Sequence, residues 1–368
     1  MHYPVASFGQ KVRVMRDYLK LYRQRGLTKE EYFEFAFEKQ TPQFRNEFLG
    51  LNEERYYLDY LNPKKYYILA RNKYFTHKIL NDRGIRKSEL YCFYEPEGRV
   101  SGDEVACSVD GVAAILRAKG VRQCVLKAAE SSHGDSVTVI SSIDFQDDDA
   151  VLHLFNGEER KLSEMLGMAP MLFESLVIQS RQLSSLNASS VNTVRFMTTL
   201  YPNGEAKVIA SFIKIGRNGK CVDNAGAGGN VDACVDVETG MLQYAIRYDG
   251  VRNFHDIDTH PDSGTAINGM RIERWNEIKE QVIRFQQSFP YVKAAGWDIA
   301  ITEEGPLVVE INDLWDRTGQ CFIRRGWRKE IRDCFFAWQK TGKKYYMGRF
   351  NNNISTKRLE KIAKNDNL

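Results

Sequence analysis

At 368 residues, with 43% apolar and 27% charged positions, the chain can build large cores and has the balance of a globular protein, neither disordered nor membrane-spanning. A formal charge of +4 without any basic-plus-aromatic repeat argues against nucleic acid as a partner. Seven scattered cysteines, never in a C-x-x-C pair, argue against a disulfide framework or zinc knuckle and for a reducing compartment. The start is not signal-like and no apolar run approaches the roughly 18 residues of a membrane span, so the expectation is a cytoplasmic protein without stable membrane insertion.

From Val12 to Tyr67 charged and aromatic residues recur at helical spacing, as in Val12, Met15, Leu19 and Tyr22, and Thr28 with Glu31 forms a capping box. This predicts a helical N-terminal lobe whose Tyr and Phe residues are packing residues. Asn72 as N-cap and Gly84 as a stop predict a helix over Lys73–Arg83, basic enough to be either a solvated face or a phosphate-facing one. A capped helix over Asp110–Gly120 leads into a strand, Val121–Lys127. Lys127 then precedes the loop Ala128–Ser136 and a strand at Val137–Ile140. A strand-end ammonium beside flexible backbone suits phosphate, the alternative being an exposed lysine.

Met171–Gln179 reads as a buried strand with one acid, Glu174, leading into a hinge. Such a place offers a purine an apolar slot and a backbone edge, though a plain core strand has the same pattern. Asn192–Arg195 opens a strand to Leu200, where Arg195 among Val194, Phe196 and Met197 needs an anionic partner: a phosphoryl group, a substrate carboxylate or an internal acid. Asn192 is a second candidate there. Ala206–Ile215 is the next strand, with Lys214 near its end, followed by the glycine-rich loop Asp223–Gly229, whose bare backbone could cradle an oxyanion or simply connect. His255 and His260 do not share a helical face, which discounts a transition-metal pair. Arg271–Phe289 predicts an amphipathic helix, with Trp275, Ile278, Val282 and Phe285 as its core stripe.

That helix delivers the chain to Gly296–Asn312, read as a hairpin with Thr302–Pro306 as its loop. If Ile301 closes against Leu307, Trp297, Ile299, Ile301, Leu307, Val309 and Ile311 share an apolar face, and Asp298 stands opposite Glu310 with Asn312 on the same side. Facing carboxylates repel unless a cation sits between them, and hard oxygens suit Mg²⁺ shared with phosphate. An amphipathic hairpin with a wet polar side is the plainer reading. Further on, Asp316 and Arg317 could meet an acceptor substrate. Arg328–Trp338 predicts a last helix. The basic tail from Gly342 either is solvated or touches an anionic membrane surface.

Asp298 followed by Glu310-Ile311-Asn312 resembles the metal-binding signature of the ATP-grasp superfamily. With Ser190–Thr198 (SVNTVRFMT), Val222–Gly229 (VDNAGAGG) and His260-Pro261, the stretch from about Asn72 to Gln320 resembles the sugar-transfer-associated ATP-grasp proteins. The resemblance implies an α/β (α+β) fold whose two subdomains grip ATP between sheets. A helical lobe would occupy 1–71, the nucleotide-gripping part 72–185, the catalytic metal-binding part 186–330, and a C-terminal helix with basic tail 331–368.

It further implies that Asp298, Glu310 and Asn312 hold Mg²⁺. Lys78, with Lys73 as competitor, and Lys127 would reach the ATP phosphates beneath a loop at Gly134, where relatives carry more glycines. Glu174 and the backbone of Ser175, Leu176 and Val177 would face adenine, and Gln179 the ribose. Arg195, Asn192, Lys214 and the Gly228-Gly229 backbone would serve catalysis. The implied reaction is carboxylate–amine ligation through an acyl phosphate, on small-molecule, sugar-linked substrates in surface-polysaccharide assembly. A small-molecule kinase and a nucleotide-binding scaffold without turnover are the alternatives.

Overall fold

The computed structural model describes residues 7–130, 137–220, 231–248, 254–342 and 354–364. Gly134, Gly228 and Gly229, with the loops predicted around them, lie outside the described residues, as does most of the basic tail.

Fourteen strands among the described residues form two sheets of seven. They are β1 (Leu90–Tyr94), β2 (Val105–Ala106), β3 (Cys124–Ala128), β4 (Val137–Phe145), β5 (Ala150–Leu154), β6 (Glu159–Lys161) and β7 (Met171–Glu174), then β8 (Thr193–Leu200), β9 (Ala206–Ile215), β10 (Val231–Val235), β11 (Leu242–Tyr248), β12 (Phe254–Asp256), β13 (Ala294–Thr302) and β14 (Gly305–Asn312). The first sheet runs β2-β1-β7-β3-β4-β5-β6, antiparallel except for the β1–β2 pair. The second runs β12-β11-β10-β9-β8-β13-β14 and is antiparallel throughout.

The second sheet is covered on both faces, and alternation decides what each residue meets. Phe196, Ile213, Trp297, Ile299 and Ile311 join a core with the helix Trp275–Ser288, where the predicted stripe of Trp275, Ile278, Val282 and Phe285 is buried. Met197, Ala210, Phe212 and Ala294 face the other way, toward the helices Leu51–Leu61, Arg328–Gln339 and Thr356–Ala363. Arg195, Lys214 and Asp298 share this second side by parity, so the candidate site is the polar end of an otherwise apolar face.

The hairpin differs from its expected register near the turn. Thr302 pairs with Gly305 across a two-residue turn, Ile301 with Pro306, Ala300 with Leu307 and Ile299 with Val308, after which the register shifts so that Asp298 pairs with Glu310 and Gly296 with Asn312. Val309 is the extra residue of a β-bulge. Near the turn it is therefore Val308, not Leu307 or Val309, that joins the helix-side core, while the bulge restores Asp298 opposite Glu310.

Asn72 caps the helix Lys73–Asp82, its Oδ1 accepting from the N–H groups of Tyr74 and Phe75 at 3.1 and 3.2 Å. Tyr74 stacks on Phe93 at 4.0 Å between centroids, fixing this helix against the first sheet. The strand expected over Met171–Gln179 ends at Glu174, because Ser175 turns to exchange hydrogen bonds with Glu89 and Ser180 N–H donates to Ile301 of the second sheet at 2.7 Å. Before β1, the described chain is helical. Phe35, Phe37, Phe44 and Phe48 pack there in a core of their own with Tyr32 and Leu27.

Candidate active site

Glu174, wholly buried at the end of β7, is the anionic centre of the first sheet's contribution. Lys127, on the neighbouring β3, places Nζ 3.0 Å from its Oε2. Ser88 Oγ donates to the same oxygen at 2.6 Å, and Lys87 Nζ lies 3.5 Å from Oε1. Burial works to raise the Glu174 pKa. Lys127, Lys87 and the Ser88 hydrogen bond outweigh it and hold the group well below the usual carboxylate range.

Asp298 is the centre on the second sheet. Cross-strand pairing sets Arg195 of β8 directly opposite it, and Arg195 Nε and Nη2 donate to its two oxygens at 2.5 and 2.8 Å. Lys214 of β9 adds a third contact at 3.1 Å. Here too burial pushes the pKa up, but Arg195 and then Lys214 prevail and bring it to about 2. Gly296 leaves room beside this pair, since a Cβ there would sit 3.1 Å from Arg195 Nη1 and 3.3 Å from Trp315 and crowd both.

Two lysines join the halves. Lys87, only 4% exposed at its side chain, also donates to the carbonyl of the bulge residue Val309 at 3.2 Å. Lys73 has its pKa lowered by burial, opposed by the attraction of Glu310, with Lys127 and Glu174 also in electrostatic reach. Lys73 is thus within electrostatic reach of acids of both sheets. Its helix is held at the hairpin's end by Arg71, whose Nε and Nη2 each donate to Asp313 at 2.8 Å.

The predicted residues are therefore not one constellation. Lys127 joins Glu174 on the first sheet, and Arg195 and Lys214 join Asp298, opposite Glu310, on the second. Lys78, favoured over Lys73 on sequence, instead points to Glu104 and is half exposed, because it lies on another side of the helix. Asn192 and Gln179 carry out local structural work. Asn192 Nδ2 donates to Leu183 and Asn187 carbonyls at 2.8 and 2.9 Å and its Oδ1 accepts from Gly216. Gln179 bonds the carbonyls of Asn187 and Ser190 and the N–H of Asn192. Their amides are spent on the connection into β8, which corrects the catalytic and ribose expectations for them. Leu176 and Val177 are half-buried and follow Ser175 along the connector. His260 binds the Gly216 carbonyl at 3.0 Å, a turn role. Arg317 is engaged by Glu31 and Glu54 at 3.0 and 3.1 Å.

Sequence reasoning missed Lys87 and His77. Burial, with Lys87 next, lowers the His77 pKa to about 4, leaving the ring neutral at pH 7. Lys87 owes its place to the bulge and carries no local signal.

Among the described residues no three His, Cys, Asp or Glu side chains gather as a self-contained metal site. Glu310, paired with Asp298 across the hairpin, and the amide oxygen of Asn312 are hard oxygen donors that could hold a cation shared with phosphate, while the buried Asn312 Nδ2, without a hydrogen-bond partner among the described residues, is a donor left for an acceptor. The chemistry fits Mg²⁺, with Glu310 and Asn312 as its first donors, since Asp298 already serves Arg195 and Lys214.

A pair of mainly antiparallel sheets enclosing lysines and paired acids is the architecture of the ATP-grasp fold. Residues 52–333 match the family described as sugar-transfer-associated ATP-grasp, and the chain belongs to that family. Similar solved structures include N5-carboxyaminoimidazole ribonucleotide synthetase from Thermotoga maritima, with 15% identity and a TM-score of 0.39, covering 76% of this chain and 52% of that one. D-alanine–D-alanine ligase from Bacillus anthracis shows 14% identity and a TM-score of 0.38 over 75% of this chain and 70% of that one. The chain spans about half the length of the first of these. No curated protein sequence matches it.

Proposed function

We propose that the protein is an ATP- and Mg²⁺-dependent ligase that joins a carboxylate to an amine, on small sugar-linked substrates of surface-polysaccharide assembly. The observation that carries this reading is Lys87, whose Nζ lies 3.5 Å from Glu174 of the first sheet and donates to the Val309 carbonyl of the hairpin at 3.2 Å, with Lys73 in electrostatic reach of Glu310, Lys127 and Glu174. The family's description as sugar-transfer-associated supports the substrate class.

In this reading adenine lies by Glu174 and the Ser175–Val177 backbone, and Lys73 and Lys127 neutralise phosphate charge. Glu310, Asn312 and Asp298 would hold Mg²⁺, which when bound screens the β- and γ-phosphates and fixes their alignment. Arg195 and Lys214, oriented by Asp298, bind the substrate carboxylate and keep its oxygen in line with the γ-phosphorus. That oxygen forms the new P–O bond as the bond to ADP breaks. The amine nitrogen then attacks the acyl carbon, the bond from that carbon to the bridging oxygen breaks so that phosphate departs with the former carboxylate oxygen, and the nitrogen gives up a proton to solvent. The two cations stabilise the oxyanion of this stage.

Incubation with Mg²⁺–ATP, hydroxylamine and a panel of uronic and amino acids tests the proposal. A hydroxamate formed with one carboxylate is the expected product, and Glu310→Gln should lower its rate on the order of a hundredfold or more with the fold intact. A stable phosphate ester would make the protein a kinase, and no ADP with any member of the panel would favour the scaffold.

A further inference from the structure

The helix Phe8–Arg25 packs inward with an unexpected side. Val14, Tyr18 and Leu21 meet the N-terminal aromatic core, and Arg25 is buried on Glu53 at 3.0 Å. Of the stripe picked out in the sequence, Val12 and Tyr22 are half-buried, whereas Met15 at 46% and Leu19 at 38% face solvent together with Phe8 at 83%. At 100° per residue these three fall within about 40° of one another. Lys11, Arg13, Arg16, Lys20 and Arg23 are all exposed around them. The helix's one acid, Asp17, is turned away, accepting from Tyr32 Oη at 2.7 Å and Arg45 Nη2 at 2.6 Å.

The basic surface continues beyond the helix. Arg358 of the helix Thr356–Ala363 donates to the Tyr22 carbonyl at 2.7 Å and lies over the Tyr22 ring at 4.6 Å. Lys357, Lys361 and Lys364 are exposed beside it.

We propose that this helix docks the protein on an anionic lipid surface, lying in the plane of the bilayer. An apolar stripe flanked by lysines and arginines fits such a surface in both its layers: the apolar side chains enter the acyl boundary and the cations meet phosphate headgroups. A second copy of the chain would bring the same cations face to face, and a nucleic acid would leave Phe8, Met15 and Leu19 without a use. No helix among the described residues is long and apolar enough to cross a membrane, so docking is peripheral.

Sedimentation of the full chain with phosphatidylcholine–phosphatidylglycerol vesicles, against pure phosphatidylcholine, tests this. The chain should pellet with the anionic vesicles, less so as salt rises. Met15→Glu with Leu19→Glu should weaken that binding at least about tenfold. Arg16→Gln with Lys20→Gln should erase the preference for anionic lipid. Unchanged circular dichroism and an unchanged Mg²⁺–ATP melting shift would show that both variants remain folded. Absence of pelleting, equal pelleting on neutral vesicles, or variants that bind like the parent would overturn the proposal. A dimer abolished by the Met15/Leu19 variant, without vesicle binding, would replace it with self-association.

Discussion

Lys73 and Lys78 are five residues apart on one helix, about 140° around its axis, and so look into different surroundings. Lys73→Ala should weaken Mg²⁺–ATP binding by about tenfold, ~1.4 kcal/mol. Lys78→Ala breaks only a partly exposed pair with Glu104 and should change binding less than about twofold. Calorimetric titration of both variants decides this, and the reverse ranking would return the role to Lys78.

Asp298 carries a pH dependence. Its folded pKa of about 2 lies below the ordinary 3.8, so its pairing stabilises the fold above pH 3.8 and that contribution, about 2 kcal/mol, is lost as pH falls toward 2. Urea unfolding across that range should show a slope that Asp298→Asn removes. At this scale alternation placed Asp298 opposite Glu310 only because two departures cancel: the turn is tighter than expected, pairing Ile301 with Pro306, and the bulge at Val309 restores the pair. The two lysines could not be ranked that way, because both suit a basic helix and only tertiary packing separates them. Asn192 and Gln179 looked chemical because nothing local reveals that their partners are backbone carbonyls of an irregular connector.

Among elements, the β13–β14 hairpin shows how a bulge can repair a register. The two-residue turn alone would set Asp298 opposite Val309, and the extra residue moves Glu310 into place. Deleting Val309 should leave a regular ladder with the two carboxylates still facing, while removing the carbonyl that Lys87 holds at 3.2 Å. The expected cost is about 1–3 kcal/mol in urea unfolding, with the Mg²⁺-dependent part of the ATP melting shift retained. Loss of that part would mean that the bulge itself positions the donors. The bulge was invisible in the sequence, as was the early end of β7, because both are fixed by contacts from distant segments. The first helix was ambiguous for another reason: it carries two apolar stripes, and periodicity does not say which one packs.

Across the whole molecule, the helical lobe is secured to the sheet by buried polar ties. Arg317, beyond β14, bonds Glu31 and Glu54, which are 2% and 0% exposed at their side chains, and burial raises the Glu54 pKa to about 8 despite that partner. Gln320 exchanges hydrogen bonds with the Leu49 backbone at 2.7 and 3.1 Å. Arg317→Ala would strip Glu54 of its cation and leave Glu31 only the N–H groups of Thr28 and Leu51, and should cost about 1–3 kcal/mol, read as a lower midpoint in urea. A change under 1 kcal/mol would show that the lobe is held by its apolar contacts instead. The helical character of this region was legible from caps and spacing, whereas its attachment, depending on acids and amides far apart in the chain, was not.

Two of the links between the sheets rest on the same hairpin: Val308 N–H donates to the Arg86 carbonyl at 2.9 Å on the way in, and Ser180 N–H to the Ile301 carbonyl on the way out. Points close to an axis move least. Any swing of the first sheet would therefore pivot beside Asp298 and Glu310, carrying the far strands β4 to β6 through a wide arc while the donors stay nearly still. Spin labels on Ser141 and Glu280 should then change separation when Mg²⁺–ATP is added, and a constant distance would mark the cleft as rigid. On this geometry the protein is a door whose hinge stands next to its lock.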